Sequence, residues 1–126
     1  MATLKSFEEL ECYQVCREFR NLVAKMAKGF PANEEHRLKA QLLRAARSVT
    51  ANIAEGFGRH HHQENLQYCR QARGSLSECL DHLNVALDEG FIDQGRYADL
   101  RKEHETAARL LNGYIAYLKK KASTSK

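Results

Sequence analysis

Three consecutive histidines, His60, His61 and His62, are the residues that most readily suggest metal chemistry. Neighbouring residues on a helix point about 100° apart, so three adjacent imidazoles cannot converge on one ion without an irregular backbone. Glu64 could add a carboxylate ligand, and Cys69 lies two turns beyond His62. No pair of these residues, however, has the spacing of the HExxH zinc-binding motif. We therefore predict no metal and no cofactor, and interpret the run as a solvated helix start.

Two cysteines, Cys12 and Cys16, lie one helical turn apart, which is the spacing of a partial metal site. Two further ligands would have to come from elsewhere, and the chain has no CxxC pair. We interpret all four cysteines as reduced thiols, and Cys12 and Cys16 as small apolar residues packed in the core. A nucleophilic thiol would need a histidine base, and the sequence places neither His82 nor His104 beside one.

Glycines Gly56 and Gly58 flank Phe57, but they lack the spacing and the preceding strand of a dinucleotide-binding loop. Paired carboxylates and catalytic triads are not evident either. We therefore predict that the protein is not an enzyme.

The segment 48–59 is the least generic part of the chain, because Asn52 and Glu55 interrupt a run of small apolar residues. Polar groups amid packed residues need partners. Arg73, followed by Gly74, offers a guanidinium on the next helix. We hypothesise a structural network joining Glu55 or Asn52 to Arg73, which would fix the register of the second and third helices. An active-site interpretation of the same residues is the alternative.

The net charge of +4 is concentrated in the middle of the chain, where residues 37–73 carry seven basic and two acidic side chains. Basic residues gathered on one element attract phosphate. Few aromatic residues interleave with these arginines, so we expect salt-sensitive binding without base stacking. The alternative is a solvated face with some structural arginines. The candidate phosphate contacts are Arg44, Arg47, Arg59, Arg70, His60, His61 and His62.

The elements that position these residues are helices with apolar side chains at a three-to-four-residue spacing. Ser6 and Glu9 form a capping box for the first helix, and the alanines in the middle of the second favour close helix packing. One proline and seven glycines leave too few turns for a sandwich or barrel. The pattern predicts one all-α domain over 1–126, an antiparallel up-down-up-down four-helix bundle. Its helices are expected at about 7–28, 34–57, 62–89 and 94–120.

Membrane insertion is not expected, since no apolar run approaches the ~20 residues of a span. The chain begins MATLKSFEELE, which turns acidic where a signal peptide would be apolar. We predict a cytoplasmic protein.

A family resemblance rests on four segments. RAARSVTANIAEGFGR (44–59) and ARGSLSECLDHL (72–83) resemble the central motif of the bacterial 23S rRNA intervening-sequence proteins. SFEELECYQVCREF (6–19) and LNGYIAYLKK (111–120) are similar to the ends of that family. The resemblance assigns a structural role to Asn52, Glu55, Gly56, Gly58, Arg73 and Gly74.

The resemblance implies an antiparallel four-helix bundle that assembles into a homopentameric ring. Some members are encoded within sequences inserted in bacterial large-subunit rRNA genes. A related branch comprises accessory proteins of diversity-generating retroelements, in which a positively charged pentamer engages nucleic acid and a reverse transcriptase.

Together these features predict a non-catalytic, homo-oligomeric binding module that contacts RNA or DNA phosphates through a basic surface. The alternative is a scaffold that recognises another protein through a bundle groove or ring face. In that case the aromatic stripe of Tyr97, Tyr114 and Tyr117 would serve the interface.

Overall fold

A computed structural model describes residues 4–124 of the chain, and over that range it contains four α-helices and no strand. The prediction of an all-helical chain with four helices is therefore confirmed. Two short 3₁₀ turns precede the first and second helices. The elements are a 3₁₀ turn at Phe7–Glu9, α1 at Glu11–Ala27, a 3₁₀ turn at Ala32–Glu34, α2 at Leu38–Gly58, α3 at His62–Asp88 and α4 at Gln94–Thr124.

The first two helices begin later than the sequence pattern predicts. Ser6 and Glu9 do form a capping box, but it caps the 3₁₀ turn, and extended Leu10 (φ −70°, ψ 127°) separates that turn from α1. Arg37 likewise leaves helical geometry (φ −119°, ψ −111°), so α2 begins at Leu38. Glu34 Oε1 accepts a hydrogen bond from the Leu38 amide at 3.2 Å, so this carboxylate caps α2 from outside the helix.

Each helix packs against two neighbours, α1 against α2 and α4, and α3 against α2 and α4. The register of α3 and α4 follows from two hydrogen-bonded pairs. Asn65 bonds to Tyr114, and the Leu76 carbonyl bonds to His104, so residue numbers rise along α3 as they fall along α4. The two helices are therefore antiparallel, as in an up-down bundle.

The core runs the length of the bundle and holds all four cysteines, each at most 4% exposed. Burial raises the pKa of each thiol to about 12, so the cysteines are protonated at neutral pH and are not nucleophiles. The prediction that Cys12 and Cys16 pack as apolar residues is confirmed, and Cys69 and Cys79 are buried as well. The largest fully buried side chains beside them are Phe19, Leu42, Ile53, Leu76, Leu83, Leu111 and Leu118.

His104 is a buried polar residue within this core. Its Nε2 donates to the Leu76 carbonyl oxygen at 2.7 Å, and its ring meets the Phe19 ring edge-to-face at 5.5 Å. Burial lowers the pKa of His104, which favours the neutral ring. Its role is thus to join α4 to α3.

Across residues 4–124, no helix combines the length and the apolar character that crossing a bilayer requires.

Candidate nucleic-acid interface

The seven candidate phosphate contacts lie in three separate places. Two arginines are on the outer face of α2, Arg59 and the histidines are at the turn between α2 and α3, and Arg70 is on α3. Along the α2 axis, Arg44 and Arg59 are about 22 Å apart at 1.5 Å per residue. The basic middle of the sequence therefore does not form one patch.

Arg44 and Arg47 are the most available of the candidates. Both are exposed, and their three-residue spacing places them on neighbouring parts of the outer face of α2. Within residues 4–124, neither guanidinium has a hydrogen bond or an ion pair. The stretch 36–54 contains no aspartate or glutamate, so no carboxylate of this segment competes with a ligand for them.

Arg59 is held by its own surroundings. It forms ion pairs with Glu55 at 3.0 Å and Glu64 at 3.6 Å, and its Nη2 donates to the Tyr68 hydroxyl at 2.7 Å. The guanidinium also lies over the Tyr68 ring, 5.0 Å from its centroid. A phosphate at Arg59 would have to compete with two carboxylates. The main role of this arginine is therefore to link α2 to α3.

The three histidines follow the irregular turn that Arg59 spans. His60 has a positive φ of 53°, His61 is extended (φ −142°, ψ 121°), and His62 is the first residue of α3. The first two are exposed, and the His60 ring lies 6.3 Å from the Phe57 ring. Among residues 4–124, no three histidine, cysteine or acidic side chains are grouped so that they could hold a metal.

Arg70 is exposed on a different side of the molecule from Arg44 and Arg47. Ser75 faces α2, where its hydroxyl lies 2.9 Å from that of Ser48. Arg70 precedes Ser75 by five residues, which rotates it about 140° away from that direction. Arg70 therefore cannot share a ligand with the α2 arginines at close range.

The hypothesis that Arg73 bonds to Glu55 or Asn52 is wrong. Arg73 lies about 160° around α3 from Ser75, so it faces α4, and its Nη1 donates to Asn112 Oδ1 at 3.1 Å. Asn52 Nδ2 donates to the Ser48 carbonyl and hydroxyl oxygens, at 2.9 and 3.0 Å. Helices α2 and α3 are linked instead by the Ser48–Ser75 pair and by Arg59.

Gly56 marks the close approach of α2 to α3. A Cβ at this position would lie 2.6 Å from Asn65 Oδ1 and 2.9 Å from the Tyr68 Cβ, so only glycine fits. Asn65 in turn donates from Nδ2 to the Tyr114 hydroxyl at 3.0 Å and accepts from the Cys69 thiol. The motif glycine thus positions a buried asparagine that connects three helices. Gly58 and Gly74, by contrast, have open space where a Cβ would stand.

A groove of about 560 Å³ lies between α1 and α2, which we call the α1/α2 groove. Two arginines enter it, and no carboxylate lines it. Arg20 donates from Nη1 to the buried Thr50 hydroxyl at 3.1 Å and from Nη2 to Asn21 Oδ1 at 3.3 Å, so its guanidinium is fixed in place. The lining residues are Phe7, Tyr13, Arg20, Asn21, Ala24, Leu43, Ala46, Arg47, Thr50, Ala51 and Ala54.

Sequence reasoning missed Arg20, Phe7 and Tyr13 as groove residues. One signal was available: Thr50 falls in the apolar stripe of α2, and a buried hydroxyl calls for a partner. That signal does not identify Arg20, which is thirty residues away in the chain. Few aromatic residues lie near the candidate arginines in the sequence, but Phe7 and Tyr13 line the groove with Arg47.

A second groove, of about 520 Å³, lies on the other side of α1, against α4; we call it the α1/α4 groove. Its charges are mixed, and Leu22 at its edge is 41% exposed. The mixture suits neither a polyanion nor a polycation. It is lined by Leu22, Lys25, Arg96, Asp99, Leu100, Lys102 and Glu103.

Comparisons with known proteins match this geometry to one family. No curated protein matches the chain. A solved structure from Bacteroides thetaiotaomicron, of a protein with unknown function from the S23 ribosomal protein family, superposes with a TM-score of 0.75 at 20% identity. The match covers 83% of this chain and 95% of that one, and at this identity it shows a shared fold. The family model described as 23S rRNA-intervening sequence protein matches residues 8–113. The chain therefore belongs to the 23S rRNA-intervening sequence protein family.

Proposed function

We propose that the protein is a non-catalytic binding module that contacts the phosphates of RNA or DNA through the outer face of α2. The observation that supports this proposal is the pairing of Arg44 and Arg47 on one exposed helix face, both without partners in residues 4–124. Arginine suits such a role because its planar fork donates two hydrogen bonds to one phosphate.

The surroundings of these arginines favour an anionic ligand. The neighbouring α1/α2 groove adds Arg20 and contains no carboxylate, whereas the α1/α4 groove mixes three basic with two acidic side chains. A ligand that is negative along its whole length is therefore favoured on one side of α1 only. Arg59 and Arg70 contribute at the margins, since one is ion-paired and the other faces away.

The test is a titration of the purified protein into labelled structured RNA and duplex DNA at about 50 and 200 mM salt. About five or six phosphate contacts over the assembled protein should lower affinity by roughly a thousandfold across that range, because the release of bound counterions is less favourable at higher salt. Replacing Arg44 and Arg47 together by alanine should reduce the slope of log affinity against log salt by about two.

The matched control is the double replacement of Arg101 and Arg109 by alanine on α4, which removes the same charge elsewhere. Both control residues are exposed. If the control and the α2 variant lose the same affinity, the α2 face is not the contact. Affinity that does not change between the two salt concentrations would rule out phosphate-driven binding altogether.

The α1/α4 groove supports a second candidate function, recognition of another protein. Leu22 is exposed in this groove among side chains of both signs, which is typical of a protein contact. Tyr117 on α4 is 50% exposed and adds apolar surface. Failure to bind nucleic acid at low salt would favour this alternative.

We also propose that the module acts as a homo-oligomer, with the pentameric ring as the specific expectation. Leu22, Val85 and Tyr117 are the large apolar side chains that a single chain leaves exposed on α1, α3 and α4. Light scattering on the purified protein measures the mass directly. A monomer at micromolar concentration would contradict the ring.

A further inference from the structure

The α1/α2 groove combines two chemistries that a polyanion with flat rings requires. Arg20 and Arg47 line it, and so do Phe7 and Tyr13, which lie toward the N-terminal end of α1, away from Arg20. Its volume, about 560 Å³, is within the range of small-ligand pockets, roughly 300–1,000 Å³. The groove is therefore large enough to enclose part of a ligand.

The aromatic end is built by the 3₁₀ turn that precedes α1. The capping box of Ser6 and Glu9 fixes that turn, and the Phe7 ring meets the Tyr13 ring edge-to-face at 4.8 Å. Both side chains are only half-buried. Within residues 4–124 the Tyr13 hydroxyl has no hydrogen-bond partner, so it is free to bond to a ligand.

The cationic end is fixed by Thr50. Because Arg20 is anchored to Thr50 and Asn21, it loses little freedom when it binds an anion. The guanidinium of Arg47, which lines the same groove, has no hydrogen bond or ion pair within residues 4–124. Along α1, Arg20 and Tyr13 are about 10 Å apart, seven residues at 1.5 Å each. A dinucleotide can bridge that distance with its phosphate at the arginines and a base at the rings.

We propose that the α1/α2 groove binds an unpaired nucleotide segment, with a phosphate at Arg20 and Arg47 and a base against Phe7 and Tyr13. This inference rests on the proposed function, since it names the kind of nucleic acid bound at the same face. A duplex keeps the faces of its bases stacked inside, so it cannot place a base against the rings of Phe7 and Tyr13. Unpaired bases stack on aromatic side chains.

The first experiment probes the groove alone with the dinucleotide UpU, which carries a single phosphate. Amide resonances of the ¹⁵N-labelled full chain should shift in a saturable way at Arg20, Arg47 and Tyr13. Tyr13→Leu should weaken this binding at least fivefold, while Tyr13→Phe, which keeps the ring, should retain most of it. Phe91→Leu is the matched control, because Phe91 is also a half-buried aromatic residue but lies between α3 and α4, outside the groove.

The second experiment compares a labelled single-stranded 12-mer with the same sequence in a duplex, for wild type and Tyr13→Leu. We expect Tyr13→Leu to weaken single-strand binding roughly five- to a hundredfold and to leave duplex binding unchanged. Equal loss for both ligands, or no loss for either, overturns the groove assignment. A loss of UpU binding with Phe91→Leu equal to that with Tyr13→Leu overturns it as well.

The two proposals fail in distinguishable ways. Salt-dependent duplex binding with no response of the groove to UpU overturns this inference and leaves the proposed function standing. Saturable UpU binding in the groove without any binding of the 12-mers overturns the proposed function and keeps the groove as a nucleotide site.

Discussion

The two sides of α2 use small residues to opposite effect. Towards α3, Gly56 lets the helices approach so closely that an added Cβ would lie 2.6 Å from Asn65. Towards α1, the alanines Ala46 and Ala54 lie under an open groove. One helix therefore packs tightly on one side and leaves a cavity of binding size on the other.

The residue that faces α2 from the neighbouring helix decides whether the two helices pack tightly or leave a groove. On the α3 side, short polar groups such as the Ser48–Ser75 pair meet directly at 2.9 Å. On the α1 side, Arg20 spans the gap to Thr50 with a long side chain. Small residues therefore permit a close approach of two helices but do not by themselves cause it.

The largest predicted effect is on the tight side. Gly56→Ala should destabilise the fold by about 2–4 kcal/mol, because the new methyl group displaces Asn65 and breaks its bond to Tyr114, which outweighs the helix preference for alanine. Urea unfolding followed by circular dichroism measures the loss. The control is Gly74→Ala, where the space is open and alanine should add about 0.5–1 kcal/mol. Equal effects of the two replacements would contradict the tight packing.

The fold was more predictable than the site because helix formation depends mainly on residues that are close together in the sequence. The apolar spacing and the scarcity of turn residues predict four helices, and four are found in residues 4–124. The start of α2 was missed because Glu34 caps the helix from four residues before Leu38. A carboxylate in a first turn and one that caps from outside have the same appearance in a sequence.

The site depends on directions around each helix, which a run of residue types does not reveal. Arg73 was expected to face α2 because Glu55 and Asn52 called for a polar partner, yet it bonds to Asn112 of α4. Phe7 and Tyr13 reach the groove of Arg47 only because a 3₁₀ turn and α1 fold back on α2. To predict such a long-range contact, one must know how both helices are rotated about their axes and how they are aligned along them. The pattern of residue types gives this for neither helix.

A loss of stability of intermediate size should come from breaking the hydrogen bond between Arg20 and Thr50, which crosses from α1 to α2. Thr50→Val keeps the volume of a buried side chain but removes the acceptor of Arg20 and the donor to the Arg47 carbonyl. We expect a loss of about 1 kcal/mol in unfolding free energy. Affinity for UpU should fall too, because Arg20 is no longer held. Stability loss without any change in affinity would show that Arg20 needs no anchor.

A smaller effect should follow on the tight side from Ser48→Ala. The change removes the Ser75 contact and one of the two acceptors of Asn52, but alanine favours the helix. The net cost should be about 0.5 kcal/mol or less by the same urea assay. Ligand binding should not change, since Ser48 lies towards α3. A loss of affinity equal to that of Thr50→Val would mean that the two sides of α2 are coupled.

The smallest effect on stability, and the sharpest on binding, should come from filling the groove. Ala54 is half-buried and lines the open volume, so Ala54→Leu can extend into that space with a stability change within about 0.5 kcal/mol. The larger side chain occupies room that the proposed base would use, so UpU binding should be lost. Ala116→Leu on the exposed part of α4 is the matched control and should alter neither property. A cost of 2 kcal/mol or more for Ala54→Leu, about the size of overpacking in a closed core, would show that α1 and α2 pack as tightly as α2 and α3. The difference between the two sides of α2 would then be lost, and the nucleotide site with it.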